Sequence, residues 1–230
     1  MILLGIETSG RAGSVALSIG GALAGERDLT ASGRRHARTL VPEIADLLKS
    51  VGLTPRDVYA VAVSVGPGSF TGLRVGVVCA KTYAYAVGCR LIGVDTFLAV
   101  AQAQNDADRI WVIDDALRGD VFAGEYIRGE NGWQCVTPAS LQPVETWRGQ
   151  VSSDHLVTGP GLSSLRNVLV GLNLGEESTG IPHARFVVEI GKKRAEAGDF
   201  ADLWTLAPFY MRRSAAEEKA DALPTSSSRS

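Results

Sequence analysis

The chain is poor in the residues that hold metals or build covalent frameworks. Of its 230 residues, three are cysteine and three are histidine. Cys79, Cys89 and Cys135 are odd in number and lack Cys-x-x-Cys spacing, so neither a disulfide framework nor a zinc site is indicated, and three buried, reduced thiols are expected. His36, His155 and His183 are scattered, with no His-x-x-x-His pair, and no metal site is expected. Long apolar runs are missing too: no stretch approaches the ~18 residues of a membrane span, and the opening Met1-Ile2-Leu3-Leu4-Gly5-Ile6 has no basic leader. A soluble cytoplasmic protein with no membrane contact is the expectation. Charge of one sign is absent as well. With 23 Lys+Arg against 25 Asp+Glu the formal charge is -2, which excludes a grip on nucleic acid by bulk charge.

What remains is an ordinary globular composition, 45% hydrophobic and 21% charged, in a chain long enough for one large unit or two compact halves. Residues 3–6 and 14–19 read as a hairpin, and 23–29 as a third strand. Leu40, Val41, Ile44, Leu47, Leu48 and Val51 then recur at helical spacing, with Pro42 expected to bend that helix or delay its start. Residues 58–65 form an apolar run of buried-strand type, followed by a helix over 71–87, a strand at 91–94 and a helix over 97–104. Three strands (109–115, 121–127, 133–136), a short helix near 144–147, a strand at 155–158 and helices over 162–172 and 185–197 replay that order. The succession predicts an α/β fold of two similar lobes with mixed sheets, 1–104 and 105–213, and a disordered tail at 214–230.

The junction Ser64-Val65-Gly66-Pro67-Gly68-Ser69-Phe70-Thr71-Gly72-Leu73-Arg74 carries a buried strand through a glycine-rich turn into a helix. Backbone N–H groups at such a helix start favour an anion, and Ser69 is placed to cap it. Gly66, Gly68 and Ser69, with Thr8 and Ser9 beyond Glu7 in the first hairpin, are therefore candidates for a nucleotide or anion. A plain tight turn explains the same residues, because the pattern is neither a P-loop nor a dinucleotide fingerprint. Asp114, Asp115 and Asp120 around Arg118-Gly119 repeat the theme in the second half. No Gly-x-Ser-x-Gly nucleophile elbow is present. Within the second helix Gly72, Gly76, Ala80 and Ala84 stand four apart and share one face, flanked by Tyr83 and Tyr85. That face suits close approach, either to the chain's own sheet or to a partner.

Taken together, Leu3-Leu4-Gly5-Ile6-Glu7-Thr8-Ser9 with Ser14-Val15-Ala16-Leu17, the segment from Val65 through Gly76, Ala80-Lys81, Leu91-Ile92-Gly93-Val94, the turn at residues 116–122 and Ala207-Pro208-Phe209-Tyr210-Met211-Arg212 resemble the TsaB (YeaZ-like) family over nearly the whole chain. The resemblance implies a duplicated fold of the actin, hexokinase and Hsp70 type. It also implies a part in placing the threonylcarbamoyl group on adenosine 37 of tRNAs that read codons beginning with A. In that family the related protein TsaD transfers the group, with TsaE attached, and the TsaB member is its non-catalytic scaffold. Where TsaD-like chains carry a metal-binding histidine pair, this sequence places Thr96 and Val100. The family's first two helices pack against the same pair of TsaD, or of a second copy when TsaD is missing. By that resemblance Leu40, Ile44, Leu48, Gly72, Gly76, Ala80 and Tyr83 are the expected partner interface. No cofactor is expected beyond weak ATP or ADP binding in the complex rather than alone, and contact with tRNA is expected to be mainly indirect. The alternative is an autonomous nucleotide-dependent enzyme, an ATP hydrolase or small-molecule kinase, acting through residues 7–9 and 66–69.

Overall fold

The structure, a computed structural model, describes residues 1–29 and 36–212, without the side chains of His36 and Ala37. The tail expected at 214–230 lies outside the described residues.

The first sheet has the order β3-β2-β1-β4-β5. β1 (Ile2–Glu7) pairs antiparallel with β2 (Ser14–Ile19), which pairs antiparallel with β3 (Ala22–Asp28). On its other side β1 pairs in parallel with β4 (Ala60–Gly66), and β4 with β5 (Arg90–Asp95). The continuous apolar character of β1 and β4 follows from cover on both faces. Alternation sends Leu4, Ile6, Val61 and Val63 toward α1 (His36–Ser50) and α2 (Phe70–Val87). Leu3, Ala60 and Ala62 point the opposite way, with Ile92 and Val94 of β5, onto Val187, Val188 and Ile190 of α5 (Ala184–Glu196). Pro42 does not delay α1: it lies on the exposed side within the helix.

The second sheet has the order β8-β7-β6-β9, built from β6 (Arg109–Leu117), β7 (Asp120–Gly129), β8 (Gly132–Pro143) and β9 (Leu156–Thr158). Its antiparallel meander with a parallel strand on the far side of β6 repeats the plan of the first sheet. On one face Trp111 meets Trp147 of α4 (Val144–Arg148) edge-on at 6.4 Å. The other face buries Tyr126 against Phe97 and Val100 of α3 (Thr96–Gln102), the short helix wedged between the two sheets. An α/β fold with two mixed sheets of matching plan is thus present.

Three expectations need correction. The helix expected over 162–172 is a chain of tight turns containing one 3-10 turn, Arg166–Val168. Leu162, Leu165, Leu169 and Leu172 have helical spacing, but they reach one core from successive turns. Second, β8 is far longer than 133–136, because an edge strand lined with exposed polar residues lacks an apolar signal. Third, residues 105–213 do not stay with the second sheet. α5 packs on the first sheet, and the following segment returns there through Ala201 N–H to Leu91 O (2.8 Å) and Phe209 N–H to Val65 O (2.6 Å). Among the described residues no helix is long and apolar enough to cross a membrane.

Candidate functional site

The two strand ends that carry the nucleotide or anion candidates, β1 with Glu7-Thr8-Ser9 and β4 with the turn after Gly66, lie side by side because β1 and β4 are parallel neighbours. Gly66, Gly68, Ser69, Thr8 and Ser9 are therefore brought together. Ser69 caps α2 as expected, its Oγ accepting from Gly72 N–H at 3.3 Å. The rest of the arrangement is closed on itself. Ser69 N–H donates to Ser9 O at 2.7 Å, and Thr8 Oγ1 donates to Gly72 O at 2.8 Å. Gly68 has φ +152°, and a Cβ built there would stand 2.7 Å from Ser9 Cβ, so the turn is pressed onto the first hairpin. Glu7 is fully buried, and its carboxylate accepts from Ser9 N–H and Ser9 Oγ, both at 2.5 Å, and from Ser64 Oγ. The chain's own serine, threonine and carbonyl groups thus satisfy one another between these segments, and the first hairpin stands directly against the turn.

The expected interface stripe also lies inward. Gly72, Gly76 and Ala80 are buried, and a Cβ at Gly72 would strike Thr8 O while one at Gly76 would strike Thr8 Oγ1. These glycines let α2 lie directly on β1 and β4, which explains two residues each costing roughly 1 kcal/mol in helix propensity. Leu40, Ile44 and Leu48 fill the same core from α1. Tyr83 is half-buried, its hydroxyl donating to Pro55 O at 2.9 Å. Six of the seven residues expected at the interface are thus core residues of this chain, since the apolar stripe of each helix belongs to its own sheet.

The outward side of the same helices carries large apolar residues among its polar ones, which include Asp46, Lys49, Arg74 and Thr82. Val41 of α1 is 64% exposed, and Val78 and Tyr85 of α2 are 55% and 69% exposed. Beside them runs a C-terminal strap. Lys81 Nζ donates to Trp204 O (3.1 Å) and Leu206 O (2.9 Å), Trp204 meets Tyr85 edge-on at 5.9 Å while 74% exposed, and Tyr210 stacks on Phe70 at 4.4 Å. The sequence reading singled out Tyr85 but passed over Val41 as a stripe member and missed Val78 and Trp204. Their signal was an apolar residue falling off the buried stripe, and for Trp204 an aromatic ring in a segment with no periodicity.

The remaining candidates serve the fold. Thr96 and Val100 are buried in α3. Asp95 caps that helix, accepting from Phe97 N–H at 2.8 Å, and also accepts from Tyr126 Oη at 2.8 Å; burial pushes its carboxyl up against those donors. Asp114 is pushed up to about 6 by burial, with Asp115 N–H at 2.9 Å opposing. Asp120 pairs with Arg212 at 2.8 Å. His155 is buried with Nε2 3.1 Å from Glu125, and His183 stands 3.7 Å from Glu26. Of the cysteines, Cys79 and Cys89 are half-buried, with thiols pushed up to about 11 by burial, whereas Cys135 is exposed on β8, which corrects the expectation of three buried thiols.

Comparison with known proteins agrees with this architecture. The family model for TsaD, tRNA N6-adenosine threonylcarbamoyltransferase, matches residues 30–163. The chain is 32% identical over 228 residues to the tRNA threonylcarbamoyladenosine biosynthesis protein TsaB of Escherichia coli (strain K12), covering 95% of this chain and 98% of the relative. It is 27% identical over 228 residues to the TsaB of Bacillus subtilis (strain 168), covering 95% and 97%. The solved structure of YeaZ from Pseudomonas aeruginosa superposes with a TM-score of 0.80 at 25% identity, covering 91% of this chain and 99% of that one. A relative of that identity and coverage, together with the superposition of this chain on YeaZ, settles the family: the chain belongs to the TsaB (YeaZ-like) family.

Proposed function

We propose that this chain is a non-catalytic scaffold that binds TsaD and activates it for transfer of the threonylcarbamoyl group to adenosine 37 of tRNA. The relatives' names place them in threonylcarbamoyladenosine biosynthesis, and the match to the TsaD family model supports a partner built on the same plan. The observation that carries the reading is the set of large apolar residues exposed on the outward side of α1 and α2, Val41, Val78 and Tyr85, with Trp204 of the strap beside them, while the inward side of both helices is used by their own sheet. A related partner presenting the same helix pair meets this side in a near-symmetric contact, burying residues that water otherwise surrounds. When TsaD is absent the same side serves a second copy. TsaE joins through the complex, and the near-neutral charge leaves most tRNA contact to the other subunits. The closure of residues 7–9 onto 66–72 favours this reading over an autonomous nucleotide-dependent enzyme, which needs that turn open to phosphate. We place the chain in the cytoplasm, with the tRNA that TsaD modifies.

The test is size-exclusion chromatography with TsaD from the same organism. Val78→Glu with Tyr85→Glu is expected to elute alone at the size of the folded protein, while the wild type shifts with TsaD. Co-elution of the double variant at wild-type yield overturns the assignment of the face. Gly76→Glu does not serve as this test, because it strikes Thr8 inside the chain.

A further inference from the structure

The hairpin that joins β6 to β7 is built from residues its backbone disfavours. Leu117 pairs with Asp120, leaving Arg118 and Gly119 as a two-residue connection, and the register shifts between Asp115 and Leu117. All three residues at the tip have positive φ, Leu117 at +63°, Arg118 at +59° and Gly119 at +83°. Glycine or asparagine takes this left-handed conformation readily, whereas a leucine or arginine Cβ crowds the following carbonyl oxygen. The conformation is held from around the turn. Leu117 N–H donates to Asp115 Oδ1 at 2.7 Å, and Arg212, at the end of the strap, donates from Nη1 to Ala116 O and from Nη2 to Asp120 Oδ2 at 2.8 Å, one partner on each strand. The side chain so held gains little from the fold: Leu117 is 66% exposed, and a Cβ built at Gly119 would meet no atom within 4 Å. Strain kept at a large apolar side chain that stands mainly in water marks a residue serving something other than the chain's own stability.

The tip is continuous with the outward side of α2. Tyr210 stacks on Phe70, the first residue of α2, and Arg212 follows two residues later, a backbone span of at most about 7 Å. Phe209 and Tyr210 are exposed, so the strap carries apolar groups from the start of α2 toward the hairpin. With Asp114, Asp115 and Asp120 set against Arg118 and Arg212, the hairpin lacks the positive excess that grips a phosphate backbone, and an exposed leucine suits a protein surface. We propose that Leu117, presented at the tip of the β6–β7 hairpin by the Arg212 clamp, is a second contact for TsaD, beside the one made by α1 and α2. The inference rests on the assignment of that helix face to TsaD. A contact from each sheet fixes how TsaD sits across the two halves of the chain, and a tip already held in its bound shape loses little freedom on binding.

The test is calorimetric titration of TsaD from the same organism with the full chain and its variants, beside thermal melts of each. Leu117→Asn removes the apolar group and suits the left-handed backbone, so it is expected to melt no lower than the wild type while binding TsaD about tenfold more weakly. Leu117→Met stays apolar and is expected to bind within about twofold of the wild type. Wild-type affinity in Leu117→Asn overturns the proposal and leaves the helix face standing, whereas a wild type that does not bind TsaD removes both. A lower melting temperature for Leu117→Asn assigns the residue to the fold and overturns the proposal, as does equal weakening by Leu117→Met. Unchanged TsaD affinity in Leu117→Asn together with lost retention of tRNA by the complex overturns it in favour of RNA.

Discussion

The two sides of α2 obey opposite rules. Inward, Gly72, Gly76 and Ala80 have given up side-chain volume so that the helix can rest on Thr8 and Val63 of the sheet. Outward, Val78 and Tyr85 keep large apolar groups in water, with Trp204 of the strap beside them. Packing within the chain accounts for the first side, whereas among the described residues only the strap, through Trp204 on Tyr85, lies beside the second. A stripe of small residues is therefore evidence of close packing within the chain here, whereas exposed bulk points to what lies outside it.

That contrast breaks most readily from the inside. Gly76→Glu places a carboxylate against Thr8 and Val63 in a closed core, and a loss of about 4 kcal/mol or more in unfolding free energy is expected, measured by urea denaturation. If the variant melts like the wild type, the inward packing described here is wrong. The outward side responds in the other observable. Val78→Glu with Tyr85→Glu should leave unfolding free energy within about 0.5 kcal/mol of the wild type. It should also weaken TsaD binding by about a hundredfold or more, measured by calorimetry, as expected for apolar anchors at the centre of an interface.

Lys81 sharpens the comparison, because it belongs to neither rule: it ties the strap to α2 through two backbone carbonyls. Lys81→Ala should cost about 2 kcal/mol of stability and speed hydrogen exchange in residues 203–210. Unchanged exchange there would show that the strap is held by its aromatic contacts alone. The smallest effect lies off both sides and serves as a control. Asp114, raised from 3.8 to about 6 by burial, holds more protons folded than unfolded between those values, so its contribution to stability is present at low pH and is lost as pH rises through 6. Asp114→Asn should therefore gain about 1 kcal/mol at pH 7.5 after allowance for partial solvent access, and nothing near pH 3.5. Thermal melts across that range check it, and TsaD affinity should not follow.

Much of this was legible before any coordinates. Apolar runs located β1, β4 and β5, and Ser69 was readable as the cap of α2 because a hydroxyl before a helix has one local use. The duplicated sheets followed from the repeated strand order. What escaped depended on distant partners. Spacing shows that Gly72 and Gly76 share a face but not that Thr8 occupies it, sixty-four residues away along the Thr8–Gly72 hydrogen bond. The return of α5 to the first sheet is likewise decided by the small residues Ala60 and Ala62 beneath it, with no local signal in α5 itself. The candidate nucleotide residues lie together in the fold, yet the contact between them rests on Ser9 meeting Gly68 from two different strand ends, which only the fold reveals.

The most direct test of a scaffold role is the rate at which purified TsaD modifies tRNA with its adenylate donor supplied, in the presence of wild-type chain, of the Val78→Glu, Tyr85→Glu variant, or of neither. The account predicts stimulation by the wild type alone, with the folded variant no better than buffer. Equal stimulation by the variant, or modification at full rate without this chain, would contradict it.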